Sequence, residues 1–197
     1  MNYIEQIKTI LKENNGTLLT SDLTKKQIPR TYLSILERNG LIERVSRGVY
    51  IANDSFEDEL YCFQLKNKRA IFSHETALYL HDMTDRTPFA FTVTVPTGYN
   101  ATLLKQKGYK TFFVKPGLHE LGVIKIKSPH GNHIKIFDLE RTICDILRSR
   151  NKIDIQIAND AIKRYVNLSS NNIQQLYSYA KQFRIQNIVR QYIEILL

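Results

Sequence analysis

Basic and hydroxyl residues gather between positions 25 and 47 at spacings that suit contact with a nucleic acid. Arginine pairs well with guanine, hydroxyl groups adapt to several base edges, and lysine or arginine holds phosphates. We predict that Arg30, Thr31 and Ser34 read base edges and that the other members of the set contact mainly phosphates. The full set is Lys25, Lys26, Arg30, Thr31, Ser34, Arg38, Arg44 and Arg47.

The histidines invite a metal or acid/base interpretation, which their spacing does not favour. His74 is followed by a glutamate, as in the HExxH zinc helix, but the second histidine of that motif is replaced by Leu78. His74 and His81 are two helical turns apart, and we interpret both as hydrogen-bonded structural residues. His130 and His133 flank a glycine in PHGNH, whose composition predicts a turn. The sequence predicts no metal site and no cofactor.

Three carboxylates near the end of the predicted sheet could serve a nuclease or nucleotidyltransferase. Asp138, Glu140 and Asp145 follow a strand, where such enzymes hold Mg²⁺. Asp138 also occupies a helix N-cap position and Glu140 the first turn, so capping explains them without a metal. Cys62 and Cys144 lie far apart with no CxxC or Cys/His spacing, so the sequence suggests neither a disulfide framework nor a zinc site and predicts two small buried residues.

The composition points to a polyanionic partner. Of 197 residues, 28 are Lys or Arg and 19 are Asp or Glu, which gives a formal net charge of +9. Such a balance favours association with nucleic acid but says nothing about fold. No apolar run approaches the roughly 18 residues of a membrane span, and MNYIEQIK lacks the pattern of a signal peptide. We expect a soluble cytoplasmic protein with no membrane partner.

The basic set needs a scaffold, and the N-terminal sequence predicts a winged helix-turn-helix. Apolar spacing in YIEQIKTILKEN predicts a first helix. A second helix is expected from Thr20, as its cap, to about Lys26, and a third from about Pro29 to Asn39. Tyr32, Leu33 and Leu36 would form the apolar face of that third helix. Two short strands around Ser46-Arg47-Gly48 would form the wing, with Arg47 at its tip.

After residue 53 the pattern changes, and we predict a separate domain over residues 54–197. An acidic cluster (Asp54, Glu57, Asp58, Glu59) opens a surface helix, and Ser73 can cap a core helix. From position 89 a period of two predicts three or four strands, with a short helix around positions 102–107. Four helical segments follow position 138. The fold class is therefore α+β: an N-terminal winged helix over residues 1–53, a small mixed sheet and a C-terminal helical bundle.

Three stretches of the chain, in this order, resemble the AbiEi antitoxin family, the regulator half of type IV abortive-infection toxin-antitoxin systems. They are Leu36-Glu-Arg-Asn-Gly-Leu-Ile-Glu-Arg-Val-Ser-Arg-Gly-Val-Tyr50, Ser73-His-Glu-Thr-Ala-Leu-Tyr-Leu-His81 and Phe137-Asp-Leu-Glu-Arg-Thr-Ile-Cys-Asp145. The winged helix is common to many regulators, whereas its combination with FDLERTICD points to this family. The resemblance covers essentially the full length.

The resemblance implies an autorepressor whose N-terminal domain binds inverted repeats in double-stranded operator DNA upstream of its operon. It also implies that the C-terminal domain counteracts a nucleotidyltransferase-like toxin without a stable complex, and so contributes to phage resistance. A second electropositive surface on the C-terminal helices is a candidate for this role. Its main members are Arg148, Lys163, Arg164, Arg184 and Arg190, with Arg150, Lys152 and Lys181 as further basic residues.

Two other classes of function fit the same residues. One is a nucleic-acid-processing enzyme that uses the winged helix only to dock its substrate, with the carboxylates at 138 and 140 as candidate metal ligands. The other is a protein-interaction adaptor, because winged helices also serve in protein recognition. We favour the non-enzymatic regulator because capping and helix-terminus effects explain the carboxylates.

Overall fold

The computed structural model describes residues 2–196 and divides the chain into two compact units. The first unit runs to Lys66 and takes in a second segment, Lys127–Ile134. The second unit comprises Asn67–Ile126 and the chain from Lys135 onward. The first unit thus continues past residue 53, the predicted domain boundary, and the functional division at that residue stays a prediction.

The first unit contains the predicted helices and ribbon, with one extra short strand. Its core is formed by apolar residues between positions 7 and 50, among them Ile7, Leu18, Leu23, Leu36 and Ile42, each less than 3% exposed. Its elements are α1 (Tyr3–Glu13), β1 (Thr17–Leu19), α2 (Thr20–Lys25), α3 (Thr31–Arg38), β2 (Ile42–Ser46), β3 (Val49–Ala52) and α4 (Glu59–Lys66).

The starts of α2 and α3 differ from those predicted. Thr20 is the first residue of α2 and not its cap; the cap position is held by Leu19, whose backbone N–H donates to the Asp22 carboxylate at 3.3 Å. The prediction that Thr20 caps the helix was therefore wrong, because the helix begins one residue earlier than predicted and Thr20 lies in its first turn. α3 begins at Thr31 and not at Pro29, since a turn that includes Pro29 precedes the helix.

The wing is a three-stranded antiparallel sheet in the order β1-β3-β2. β1 pairs Thr17 with Ile51 and Leu19 with Val49, and β2 pairs Ile42 with Ala52. The added strand covers one edge of the predicted ribbon. A β-bulge between Arg44 and Ser46 shifts the register just before the tight turn, and bulges of this kind increase local twist.

The second unit is built on a five-stranded mixed sheet in the order β6-β5-β4-β8-β7. β4 is antiparallel to β5 and parallel to β8, and β5 is parallel to β6. The strands are β4 (Ile71–Phe72), β5 (Thr92–Pro96), β6 (Lys110–Val114), β7 (Val123–Lys127) and β8 (His133–Phe137), with α5 (His74–Leu80), α6 (Thr102–Gln106) and a 3₁₀ turn (Pro116–Leu118) between them.

Four helices follow the sheet, as predicted, and enclose the main core of this unit. α7 contributes a nearly continuous buried run from Arg141 to Leu147, while Tyr165, Leu176 and Val189 come from the other three helices. These helices are α7 (Leu139–Arg148), α8 (Ile155–Val166), α9 (Ile173–Phe183) and α10 (Gln186–Leu196). The α+β class predicted from the sequence is confirmed. No helix within residues 2–196 combines the length and apolar character that crossing a membrane requires.

Candidate nucleic-acid interface

The polar face of α3 is exposed because its apolar residues point into the core of the first unit. Leu33 and Leu36 are 5% and 2% exposed, and the Tyr32 ring packs edge-on against Tyr3 with centroids 5.3 Å apart. Thr31, Ser34 and Arg38 lie on the exposed side. The amphipathic pattern therefore orients α3 as the sequence predicts, with the three polar side chains free to reach a DNA groove.

Arg30 holds the N-cap position of α3 and contacts the preceding helix. Its Nη2 donates a hydrogen bond to the Thr24 hydroxyl at 3.3 Å, and both residues are exposed. Thr24 was not among the predicted site residues, and it fixes one orientation of the Arg30 side chain. Lys25 and Lys26, at the end of α2, are also exposed; Lys25 pairs with Asp22 at 3.5 Å.

The turn between α2 and α3 is a Schellman motif that sets the two helices in place. The Ile28 N–H donates to the Leu23 carbonyl at 2.8 Å, and the Gln27 N–H donates to the Thr24 carbonyl at 3.2 Å. Leu23 and Ile28, both buried, make the apolar pair that accompanies this motif. Gln27 has a φ of 56°, in the left-handed region that glycine usually occupies.

The wing tip is tied to the start of α2. The Thr20 N–H donates to the Gly48 carbonyl at 2.9 Å. Gly48 has a φ of 77°, and a Cβ there would lie 3.3 Å from the Thr20 hydroxyl oxygen, so the turn requires glycine. Arg47 is exposed at the tip, and Arg44 is exposed on β2. The wing arginines are thus carried on a ribbon whose tip is hydrogen-bonded to the first residue of α2.

Most of the predicted phosphate contacts are cations with no competing partner. Within residues 2–196, Lys26, Arg38, Arg44 and Arg47 make no ion pair and no side-chain hydrogen bond to protein. A free exposed cation can neutralise a phosphate without first breaking an internal pair. Their surroundings also include exposed Glu37 and Glu43, which would disfavour close approach of DNA at those two points.

The exposed face of α3 includes one apolar residue, Ile35, that is not among the predicted site residues. Ile35 is 44% exposed and follows Thr31 by four positions, which places it on the same side of the helix. An apolar side chain in a major groove can contact the thymine methyl group. The signal was present in the sequence, because Ile35 falls on the polar side of the helical wheel, away from Leu33 and Leu36.

The candidate carboxylates of the second unit make structural contacts. Asp138 caps α7 by accepting the Arg141 N–H at 2.8 Å and also accepts the Tyr179 hydroxyl at 2.7 Å, as the capping interpretation predicts. Burial raises the pKa of Asp138 above its ordinary value. Glu140 accepts from the Tyr165 hydroxyl and the Asn172 N–H. Across residues 2–196, no group of three or more His, Cys, Asp or Glu side chains is placed to hold a metal ion.

The two histidines in question are hydrogen-bonded, as predicted. His81 Nε2 lies 2.8 Å from the Phe137 carbonyl. His74 is fully buried between the Ser73 and Ser149 hydroxyls, at 2.9 and 3.1 Å. Burial lowers the pKa of His74 to about 4, so its ring is neutral near pH 7. His130 lies in the predicted turn, and His133 begins β8.

The cysteines are both free and buried, as predicted. Burial raises the pKa of the Cys62 thiol to about 11 and raises that of Cys144 further.

Asp58 was predicted to lie on a surface helix, and that prediction was wrong. It is 1% exposed and accepts hydrogen bonds from Ser128 Oγ, from Asn132 Nδ2 at 2.9 Å and from the Tyr61 N–H at 3.0 Å.

Comparison with known proteins shows that the segment with this geometry matches a protein family. The family described as AbiEi antitoxin transcriptional regulators matches residues 5–53, the segment that carries the helix-turn-helix and the wing. Over these residues the chain is similar to the AbiEi antitoxin family. The regulator class predicted from the sequence is thereby confirmed for residues 5–53, which we call the AbiEi-type domain, and the match ends at residue 53, the predicted domain boundary.

One solved structure extends the likeness beyond the AbiEi-type domain. The crystal structure of the RV2827C protein from Mycobacterium tuberculosis is similar with a TM-score of 0.57, covering 89% of this chain and 69% of that chain. The identity is 10%, so this likeness shows the fold alone. A search among curated proteins finds no match to the sequence.

Outside the AbiEi-type domain, the predicted basic surface is spread over four helices, and only part of its charge is free. Arg148 on α7 pairs with Asp145 at 3.0 Å, and Arg164 on α8 pairs with Asp85. Lys163 is exposed on α8, and Arg184 is the exposed C-cap of α9. Arg190 on α10 lies 3.9 Å from Glu194. Arg150 donates to the Leu147 carbonyl. Lys152 and Lys181 are exposed.

Proposed function

We propose that this chain is a DNA-binding autorepressor and antitoxin of a type IV toxin-antitoxin system that acts in the cytoplasm. Its AbiEi-type domain would bind inverted repeats upstream of its own operon. The observation that carries the proposal is the exposed face of α3 beside unpaired wing and helix cations, within the segment that matches the regulator family. An element of this shape and charge docks in the major groove, with a wing on the flanking backbone.

Base recognition is assigned to Arg30, Thr31 and Ser34, and we add Ile35. Arg30 can reach a guanine edge with two of its three guanidinium nitrogens, the hydroxyls can donate or accept, and Ile35 can pack on a thymine methyl. Lys25, Lys26, Arg38, Arg44 and Arg47 would contact phosphates and so position the domain without reading sequence.

Binding of the purified chain to labelled DNA from upstream of its gene tests this proposal. We expect the wild-type chain to bind that DNA more tightly than random DNA of equal length. Arg30→Ala should lower the ratio of the two affinities by about tenfold, because one bidentate arginine–guanine contact contributes about 1 to 3 kcal/mol of discrimination. Fluorescence anisotropy at fixed salt measures both affinities.

A matched control is Lys66→Ala, which removes an exposed cation from α4, outside the proposed interface. It should leave the discrimination ratio unchanged. An Arg30→Ala chain that discriminates as well as wild type would remove Arg30 from the base-reading set. A wild-type chain that binds both DNAs equally would remove the autorepressor proposal.

We further propose that the second unit counteracts a nucleotidyltransferase-like toxin without forming a stable complex with it. It is supported by the family of the N-terminal segment and by the exposed Lys163 on α8. Reversing Lys163 and Arg164 to Glu should weaken protection of cells that produce the toxin while operator binding is retained. Unaltered protection would count against this basic surface, whereas loss of operator binding would indicate a general folding defect.

A further inference from the structure

A groove in the second unit lies along the open edge of its sheet. Its volume is about 700 Å³, and we name it the edge groove. It is lined on one side by Lys110–Phe113, four consecutive residues of β6, and on the other by Arg148, Ser149, Asn151 and Lys152. Successive residues of a strand point to opposite faces of a sheet. A space that touches four in a row therefore follows the strand edge and does not sit on one face.

β6 is the terminal strand of the sheet, and one edge of its backbone pairs with no other strand within residues 2–196. It runs parallel to β5, with Lys110 beside Thr92 and Val114 beside Pro96. The Lys110 N–H donates to Phe91, and the Val114 carbonyl accepts from Thr97, so these residues face inward. Because inward and outward positions alternate in a ladder, the N–H and C=O groups of Thr111 and Phe113 point toward the open edge.

One buried residue joins the two walls of the edge groove. The His74 ring stacks on Phe112, with centroids 3.7 Å apart and planes at 18°, and its Nε2 lies 3.1 Å from the Ser149 hydroxyl. His74 also has a φ of 48°, a conformation that non-glycine residues adopt at an energetic cost. These contacts hold the strand and the turn after α7 at a fixed separation, so the groove exists before any ligand binds.

The edge groove is electropositive. Lys110 pairs with Glu75 at 3.0 Å yet keeps half of its side chain exposed, and Arg148 pairs with the buried Asp145. Lys152 is exposed and has no ion-pair partner among residues 2–196. The groove lining itself contains no acidic side chain. A ligand in this groove should therefore carry negative charge.

We propose that the edge groove binds an extended acidic peptide segment as an added strand beside β6. The outward N–H and C=O groups of Thr111 and Phe113 match a peptide backbone, and the cations of the facing wall match its carboxylates. A nucleic acid fits less well, because single-stranded bases need free aromatic faces. One face of Phe112 is covered by His74, and Lys105 lies over the Phe113 ring at 5.6 Å.

A peptide probe of defined chemistry tests the proposal on the full chain. The probe is fluorescein-labelled Val-Glu-Val-Glu-Val-Glu, compared with the same peptide N-methylated at every backbone nitrogen and with its Lys-for-Glu counterpart. Binding of the acidic peptide should be weakened about tenfold by N-methylation, because the methyl groups remove the N–H donors that would pair with β6. The basic peptide should not bind. Equal binding of the N-methylated peptide would overturn the added-strand proposal.

Variants locate the site. Lys152→Glu should weaken the acidic peptide about fivefold, because it replaces an attraction by a repulsion at an exposed position. Lys181→Glu, which reverses an exposed cation on α9 outside the groove, should change nothing. Addition of peptide should shift the amide resonances of Thr111 and Phe113 in ¹⁵N spectra. An absence of those shifts, or equal effects of the two variants, would overturn the proposal.

A hexathymidylate probe separates the peptide from nucleic acid. If it binds the edge groove more tightly than the acidic peptide, with the same dependence on Lys152, the ligand class is wrong. Lys152→Glu should leave operator binding intact, because the proposed DNA contacts all lie in the first unit. A failure of peptide binding would therefore leave the autorepressor proposal unaffected, and a failure of operator binding would leave the edge-groove proposal unaffected.

Discussion

Arg141 is a fully buried arginine whose contacts join several segments of the second unit. Its Nη1 donates to the Leu118 carbonyl at 2.9 Å and to the Leu121 carbonyl at 2.7 Å, and its Nε pairs with Asp145 at 3.0 Å. The guanidinium lies between the rings of Phe137 and Phe183, at 4.1 and 4.3 Å from their centroids. The arginine in FDLERTICD therefore has a structural role in this chain.

Removing Arg141 should destabilise the second unit severely. We expect Arg141→Leu to lower the free energy of unfolding by about 3 to 5 kcal/mol, because it leaves Asp145 with a buried charge that has lost one partner. Urea denaturation followed by circular dichroism measures the change. Arg164→Leu, which removes an exposed arginine paired with exposed Asp85, is the control and should have little effect. Similar losses in both variants would contradict this role of Arg141.

His74 should make stability depend on pH. Burial lowers its pKa in the folded chain to about 4, against an ordinary value of 6.5. Below pH 6.5 the unfolded chain therefore binds a proton that the folded chain does not, and stability falls until about pH 4, where the loss levels off. The difference of two and a half pKa units corresponds to about 3 kcal/mol.

The variant His74→Asn isolates this effect, because asparagine tolerates a positive φ and does not titrate in this range. Unfolding free energies of both chains at pH 7 and pH 4 should show a larger decrease for wild type by about 3 kcal/mol. The comparison cancels the opposite contribution of Asp138, whose raised pKa favours the folded chain as pH falls. Equal decreases in the two chains would contradict the assignment.

Among the helices and strands, the sequence predicted those that are long enough for their apolar residues to recur at a regular spacing. The α3 face and the four C-terminal helices follow from apolar spacing. β1 and β4 could not be predicted in this way, because strands of three and two residues show no alternation. β4 nevertheless lies in the middle of the five-stranded sheet, where tertiary pairing with β5 and β8 specifies it. The burial of Asp58 also depends on partners 70 or more positions away, which local pattern does not reveal.

The ends of α2 and α3 use the same Schellman motif with different residues. After α3, the Leu41 N–H donates to the Leu36 carbonyl, and the left-handed position is Gly40, with a φ of 67°. After α2, that position is Gln27. A left-handed conformation is unfavourable for a residue with a Cβ and neutral for glycine. The motif after α2 is thus the more strained of the two.

Gln27→Gly should therefore stabilise the chain by about 0.5 to 1 kcal/mol, once the greater entropy of glycine in the unfolded chain is subtracted. Gly40→Gln, the reverse change at the matched position, should destabilise it by a similar amount. Urea midpoints of the two variants and wild type give the comparison. If Gln27→Gly lowers the midpoint, strain at this turn is not the dominant effect.

Across the whole molecule, the basic residues that give the net charge of +9 are not equally free to bind a phosphate. In the second unit, arginines and a lysine are paired with Asp85, Asp145 and Glu75. In the first unit, Lys26 and the wing arginines have no such partners among the described residues. Composition alone predicted a polyanionic partner, but it could not tell paired from unpaired cations, since pairing depends on side chains brought together by the fold.

This distribution predicts the salt dependence of operator binding. The five proposed phosphate contacts of the AbiEi-type domain would release counterions on binding, so the logarithm of the association constant should fall against the logarithm of salt concentration with a slope of about −4.5 per bound chain. Lys26→Gln should reduce the steepness by about one, and it should weaken operator and random DNA equally. Lys66→Gln, outside the interface, should leave the slope unchanged. Anisotropy titrations from low to physiological salt measure all three slopes, and an equal change in both variants would mean that the cations act through overall charge and not through contacts at α2 and the wing.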